Sequence, residues 1–274
     1  MKLTIGFSPC PNDTFIFDAL INNKIDTEGI EFVALLEDVE TLNQQAIEST
    51  YDVSKISYGV YNSIAENYII LNSGSALGTG VGPLLIAKEL DSSLKVENQI
   101  IALPGKNTTA NFLFSIEYPM AHNKKYLRYD EIEKFVLDGH GLGVIIHENR
   151  FTYQEKGLKK IMDLGEVWEV KNAVPIPLGG IVMHRKFEKE LHKKVEQLIQ
   201  KSIAYSYSTY PTLAEFVKEN SQEMSEDVMR KHIDLYVNEY SLSLGEQGKF
   251  AVNKMLNFLS ADNQHKTKPS FFTE

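Results

Sequence analysis

His147 ends the apolar run Gly141-Leu142-Gly143-Val144-Ile145-Ile146, so a buried strand would deliver an imidazole at its carboxyl end. Imidazole titrates near neutral pH and can take a proton from carbon or oxygen. Glu148 and Arg150 follow closely, placed to orient the ring or to hold a substrate carboxylate. Lys55 and Ser57 bracket Ile56 in Val53-Ser54-Lys55-Ile56-Ser57. Strand alternation puts both polar side chains on one face. A lysine there offers a cation to a carboxylate, a reading favoured over that of an edge-strand charge that discourages aggregation. Thr108 and Thr109 follow Pro104-Gly105 and open a helix. One threonine can cap that helix while its neighbour and the free amides receive an anionic or polyhydroxyl ligand.

The remaining polar candidates read as structural. Cys10, between Pro9 and Pro11, is taken as a small buried residue in a rigid loop rather than a reactive thiolate. His184, His192 and His232 fall in or near helical segments and are expected at the surface. His147-Glu148 begins like a helical zinc motif, but position 151 is Phe151, so no catalytic metal is expected. Gly78 and Gly80 start a dinucleotide-type glycine pattern that fails at Pro83. A strand-like run follows there instead of a helix, so no nucleotide cofactor is expected either.

These residues need elements to hold them. Leu3, Ile5 and Phe7 alternate as in a half-buried strand, and a turn at Pro9–Asp13 leads into a helix through Phe15, Ile16, Ala19 and Leu20. Strands are expected at 29–36, 52–58 and 68–71, with a helix carrying Val39, Leu42, Ala46 and Ile47. This βαβ rhythm predicts a mostly parallel sheet. A second βα series covers 99–103, the helix after Thr109, and a buried strand at 142–146. The polar stretch Lys88–Asn98 reads as a passage between lobes, and Val174–Gly180 as a Pro/Gly-rich return. From Phe187 onward the chain is largely helical, and the polar tail from Ser260 is expected to be loosely held.

The expected architecture is a two-lobe α/β clamshell with a ligand cleft. Lobe 1 would take residues 1–92 and 176–274, with both chain ends, and lobe 2 residues 93–175. Ligands of open α/β sheets bind outside the carboxyl ends of strands, which is where His147, Lys55 and Thr108 fall. At 274 residues the chain is long enough for two such cores, and its single cysteine excludes an intrachain disulfide. A net charge of −9 argues against a nucleic-acid partner and leaves an anionic ligand to local donors. No stretch approaches the roughly 18 apolar residues of a membrane span, and the amino-terminal segment is read as lacking a secretory signal. A cytoplasmic location is therefore expected. Oligomeric state stays open.

Five segments together resemble one family. They are Ser8-Pro9-Cys10-Pro11-Asn12-Asp13-Thr14-Phe15, Glu37-Asp38-Val39-Glu40-Thr41-Leu42-Asn43, and Lys55-Ile56-Ser57-Tyr58. The other two are Gly78-x-Gly80-Val81-Gly82-Pro83-Leu84 and Ile146-His147-Glu148-x-Arg150-Phe151-Thr152-Tyr153. In this order they resemble the 1,4-dihydroxy-6-naphthoate synthases of the futalosine route to menaquinone. The resemblance implies a fold like type II solute-binding proteins. It also implies a lyase acting on cyclic dehypoxanthinyl futalosine, a carboxylated substrate, without a cofactor. By the same resemblance His147 is the proton acceptor, and Lys55, Ile56, Ser57, Thr108 and Thr109 are substrate contacts. Two alternatives share the fold: a chorismate dehydratase of the same pathway and a non-catalytic solute-binding protein.

Overall fold

The computed structural model describes residues 1–91, 93–222 and 225–262. The alternating segment at the amino end forms β1 (Lys2–Phe7), and the Pro9–Asp13 turn leads into α1 (Pro11–Ile21). Pro11 suits this start because its ring presets the helical φ and the missing N–H would have been unpaired anyway. Then come β2 (Glu31–Leu36), α2 (Val39–Ile47), β3 (Val53–Ser57), α3 (Tyr61–Ile64), β4 (Tyr68–Ile70) and β5 (Ala76–Gly78). Asp38 caps α2 by accepting from the amides of Glu40 and Thr41 at 3.0 and 3.3 Å.

The chain next builds β6 (Leu84–Ala87), β7 (Ile101–Leu103), α4 (Thr109–Glu117), β8 (Lys124–Tyr126) and α5 (Ile132–Leu137). It continues through β9 (Leu142–Ile145), α6 (Asn149–Thr152), β10 (Lys159–Asp163) and α7 (Leu164–Asn172). It returns along β11 (Ile176–His184) and ends in α8 (Lys189–Thr209), α9 (Glu215–Asn220), α10 (Glu226–Tyr236), α11 (Glu239–Leu242) and α12 (Gly245–Asp262). Beyond Asp262 the polar tail lies outside the described residues.

Two sheets result. The first runs β2-β1-β3-β11-β4, with β5 also paired to β11, and the second runs β10-β6-β9-β7-β8. This is a mixed α/β fold with one sheet per lobe. Three expectations need correction. The first sheet is only partly parallel: β1 pairs in parallel with β2 and β3, but β11 runs antiparallel to β3, β4 and β5. The Pro/Gly-rich return is itself a strand, and its direction reverses because it comes back from the second lobe. The boundary at residue 92 also moves, because β6 is hydrogen-bonded to β9 and β10. The crossing therefore lies between β5 and β6, and Lys88–Asn98 belongs to the second lobe.

Glycine makes room where β3 meets that lobe. A Cβ on Gly59 would stand 2.9 Å from the backbone of Thr108 and Thr109, so the turn after β3 and the start of α4 can approach this closely only with hydrogen at that position. The apolar core continues across the seam. One buried cluster joins Ile56, Tyr58 and Ile176 of the first lobe to Leu85, Leu142 and Trp168 of the second. A separate cluster packs β1 against α1 and α8 through Ile5, Phe17 and Leu198. Among the described residues, no helix is long and apolar enough to cross a membrane.

Candidate active site

The strand ends and helix starts converge on one cavity of about 720 Å³, counting the space open to solvent at its mouth. Its walls include Asp13 from α1, Lys55, Ile56 and Ser57 from β3, Thr108 and Thr109 at α4, His147 beyond β9, and His232 from α10. All six residues singled out from sequence therefore meet in one place, drawn from both lobes.

His147 holds a left-handed backbone conformation, with φ of 58°. Such a conformation is uncommon outside glycine and costs on the order of 1 kcal/mol or more. It turns the chain sharply between β9 and α6 and swings the imidazole to the cavity wall. Nδ1 lies 2.8 Å from the Cys10 sulfur, while Nε2 has no hydrogen-bond partner among the described residues. Burial, reinforced by Lys55 and opposed by Asp13 and Asp38, pushes the ring down to about 4. At neutral pH it is an uncharged base.

Lys55 sits on a strand bordered by β1 and β11, so the edge-strand reading fails. Its ammonium is buried, 3.1 Å from Asp13 Oδ1 and 2.8 Å from the Gly74 carbonyl. Two of its three protons are thus engaged, and one remains for a ligand. Ser57 accepts a hydrogen bond from Asn43 at 3.1 Å, and its own proton has no acceptor among the described residues. Ile56 is packed in the core cluster and also borders the cavity.

The threonine pair differs from expectation. Thr108 caps α4 by accepting from the Asn111 amide at 3.2 Å and donates to the Gly105 carbonyl at 2.9 Å. Thr109 donates to the Leu178 carbonyl at 2.7 Å and accepts from the Gly59 amide at 3.1 Å. Both hydroxyl protons are used internally. The segment instead offers the amides of Thr109 and Ala110, which find no acceptor among the described residues. Thr109 also ties the lobes together, as does Glu40, which receives both the amide and the side-chain nitrogen of Asn107.

Arg150 is not among the residues lining the cavity. It binds Asp163 at 2.6 Å and the Gly82 carbonyl, and so braces β10 against the entry to β6. His232 was expected at the surface but is 1% exposed. Its Nε2 meets Asn12 Oδ1 at 2.9 Å, and its Nδ1 lies 3.7 Å from Glu148. Burial, with a further push from His147, takes it well below the usual histidine range. The signal was in the helix: Met229, His232, Ile233 and Tyr236 share the buried stripe of α10. Cys10 is buried as expected, but at the base of the site rather than in an idle loop. Burial and the nearby carboxylates of Glu148 and Asp13 push its thiol up, so it is protonated at neutral pH.

Cys10, His147 and Glu148 bring metal-capable atoms within 4.8 Å of one another. Two ligands of one zinc stand about 3.5 Å apart, given Zn–S and Zn–N lengths of about 2.3 and 2.0 Å. Cys10 Sγ and His147 Nδ1 are instead in direct contact at 2.8 Å, closer than two ligands of one zinc.

Two lobes closing on a cavity define a clamshell of the periplasmic-binding-protein type. The periplasmic aliphatic sulphonate binding protein of Escherichia coli superposes with a TM-score of 0.66 at 10% identity, over 98% of this chain and 89% of that one, a likeness of fold alone. A protein of Archaeoglobus fulgidus is closer, with a TM-score of 0.88 at 29% identity over 96% and 98% of the two chains. The family model described as menaquinone biosynthesis matches residues 3–261, and the chain belongs to that family. The 1,4-dihydroxy-6-naphthoate synthase of Thermus thermophilus is 39% identical over 98% of this chain and 97% of its own.

Proposed function

We propose that this protein is a 1,4-dihydroxy-6-naphthoate synthase, a cytoplasmic lyase that converts cyclic dehypoxanthinyl futalosine to 1,4-dihydroxy-6-naphthoate. The observation that carries the reading is the uncharged imidazole of His147 at the wall of the cavity, with Nε2 left without a hydrogen-bond partner among the described residues. The naphthoate synthase name of the Thermus relative supports the choice of substrate.

In this mechanism Nε2 of His147 removes a proton from the bound substrate. A carbon–carbon bond then breaks, the sugar-derived fragment departs, and the ring system becomes aromatic. Aromatisation supplies the driving force, and the step as written needs no redox cofactor. The substrate carboxylate lies against the amides of Thr109 and Ala110 at the positive end of α4. Ser57 and the remaining Lys55 proton hold its other polar groups, and Ile56 and Thr108 shape the wall. Thr109 and Glu40 keep the lobes together, which excludes water and aligns the base.

Purified protein incubated with the cyclic futalosine derivative is expected to release fluorescent naphthoate, and His147→Ala to lose that activity. Turnover of chorismate without naphthoate formation would assign the chain to the dehydratases. Ligand binding without turnover of either compound would assign it to the binding proteins.

A further inference from the structure

A hydroxyl can give or take a hydrogen bond, so what Ser57 offers a ligand depends on its other neighbours. Asn43, buried on α2, meets Ser57 twice. Its Oδ1 accepts the Ser57 amide at 2.9 Å, and its Nδ2 donates to the Ser57 hydroxyl oxygen at 3.1 Å. A backbone N–H can only donate, so the atom facing it is the side-chain oxygen, and the nitrogen is left for the hydroxyl. A second Nδ2 bond runs to the Asn107 carbonyl at 3.3 Å, an acceptor only, and demands the same orientation. The hydroxyl oxygen therefore receives from Asn43, and the Ser57 proton must point elsewhere. It finds no acceptor among the described residues, and Ser57 lines the cavity. A buried donor in that position is satisfied by an acceptor on the ligand.

We propose that Asn43 is a positioning residue that turns the Ser57 hydroxyl proton toward an acceptor oxygen of the substrate and ties that donor to closure of the second lobe. The proposal rests on the reading of this cavity as the substrate site. Asn107 belongs to the second lobe, just ahead of the threonines that open α4. Glu40, one turn earlier on the same face of α2, accepts the Asn107 amide at 3.0 Å and its side-chain nitrogen at 2.9 Å. Asn107 is thus held through its amide, its carbonyl and its side chain by one face of one helix. When the lobes part, Asn43 gives up only the Asn107 bond, because both of its bonds to Ser57 lie within the first lobe. Closure then adds the amides of Thr109 and Ala110 to a hydroxyl already turned, and Lys55 contributes a further proton from the same strand face as Ser57. A set made of donors favours a ligand group that only accepts, a carboxylate before an alcohol.

The test is a double-mutant cycle on KM and kcat for naphthoate release. Ser57→Ala removes the donor and is expected to raise KM about tenfold with kcat little changed, because the bond holds substrate and transition state alike. Asn43→Asp replaces Nδ2 by an oxygen that accepts the Ser57 proton and withdraws it from the substrate, so KM rises at least as far. In the Ser57→Ala background no hydroxyl is left to turn, and the further rise from Asn43→Asp is about tenfold smaller than in the wild type. Asn43→Ala repeats the cycle without a charge, raising KM in the wild type and leaving it unchanged in Ser57→Ala. A variant that is only partly folded loses kcat at constant KM instead. Equal KM effects of both Asn43 variants in the two backgrounds would overturn the donor role. Closure is read without substrate, from hydrogen exchange of the peptide spanning residues 105–112, which is expected to be faster in both Asn43 variants and unchanged in Ser57→Ala. Unchanged exchange in both Asn43 variants would overturn the tie to closure. Absence of naphthoate from wild-type protein would refute the proposed function and the donor role with it, while exchange still judges the tie between the lobes.

Discussion

Acid should destabilise this protein through His147, and the effect needs no substrate to observe. Folded, the imidazole is pushed down to about 4; unfolded, it returns to its ordinary 6.5. Above both values the ring is neutral in either state and contributes no pH dependence. As pH falls through 6.5 the unfolded chain takes up a proton that the folded chain refuses, and stability is lost. The loss levels off below the folded value, where both states are charged. Integrated from about pH 7.5 to about pH 5, this linkage amounts to about 2 kcal/mol; a folded value one unit higher would leave about 1.6 kcal/mol. His147→Asn is the control, because asparagine tolerates the left-handed φ at that position. Urea unfolding of both proteins at the two pH values should show the wild type losing about 2 kcal/mol more than the variant. If the two proteins lose the same free energy, His147 is not held neutral by its surroundings.

Three further outcomes follow from the site. The acid limb of kcat/KM for naphthoate release should fall near pH 4, where His147 charges, and a break near 6.5 would contradict the burial described. Lys55→Met strips Asp13 of its buried cation and should cost about 3–5 kcal/mol in urea unfolding, with part regained on adding Asp13→Asn. An unchanged midpoint in Lys55→Met would show that the pair contributes nothing. Thr109→Val leaves the Gly59 amide and the Leu178 carbonyl without their hydroxyl and should cost about 1–3 kcal/mol, whereas Thr109→Ser should cost far less; equal losses would trace the effect to packing.

Much of the site was legible because topology constrains where chemistry can sit. His147 after an apolar strand, Lys55 and Ser57 on one strand face, and threonines at a helix start are all local patterns. The structure brings those residues to one cavity. What local pattern could not supply was partnership. That Lys55 pairs with Asp13 depends on β3 lying beside β1, a pairing no spacing reveals. That both threonine hydroxyls are engaged, not only the capping one, depends on acceptors at Gly105 and on β11 that spacing does not reveal. β11 itself was misread because its prolines and glycines imitate a loop, although Gly179 and Gly180 pair in register with β3. His232 reads as a surface residue until it is placed on the buried stripe of α10 with Met229 and Ile233, and Cys10 reads as structural because its partner stands 137 positions away.

The pairing of Cys10 with His147 has one more consequence. The chain contains a single thiol, it is 1% exposed, and its partner belongs to the opposite lobe. A disulfide reagent can therefore reach sulfur only in molecules whose lobes have parted or whose first helix has frayed. Its rate then reports how often the clamshell opens, with no introduced label. Substrate that holds the lobes shut would slow that clock in proportion to occupancy, giving a binding isotherm from a residue that need never touch the ligand.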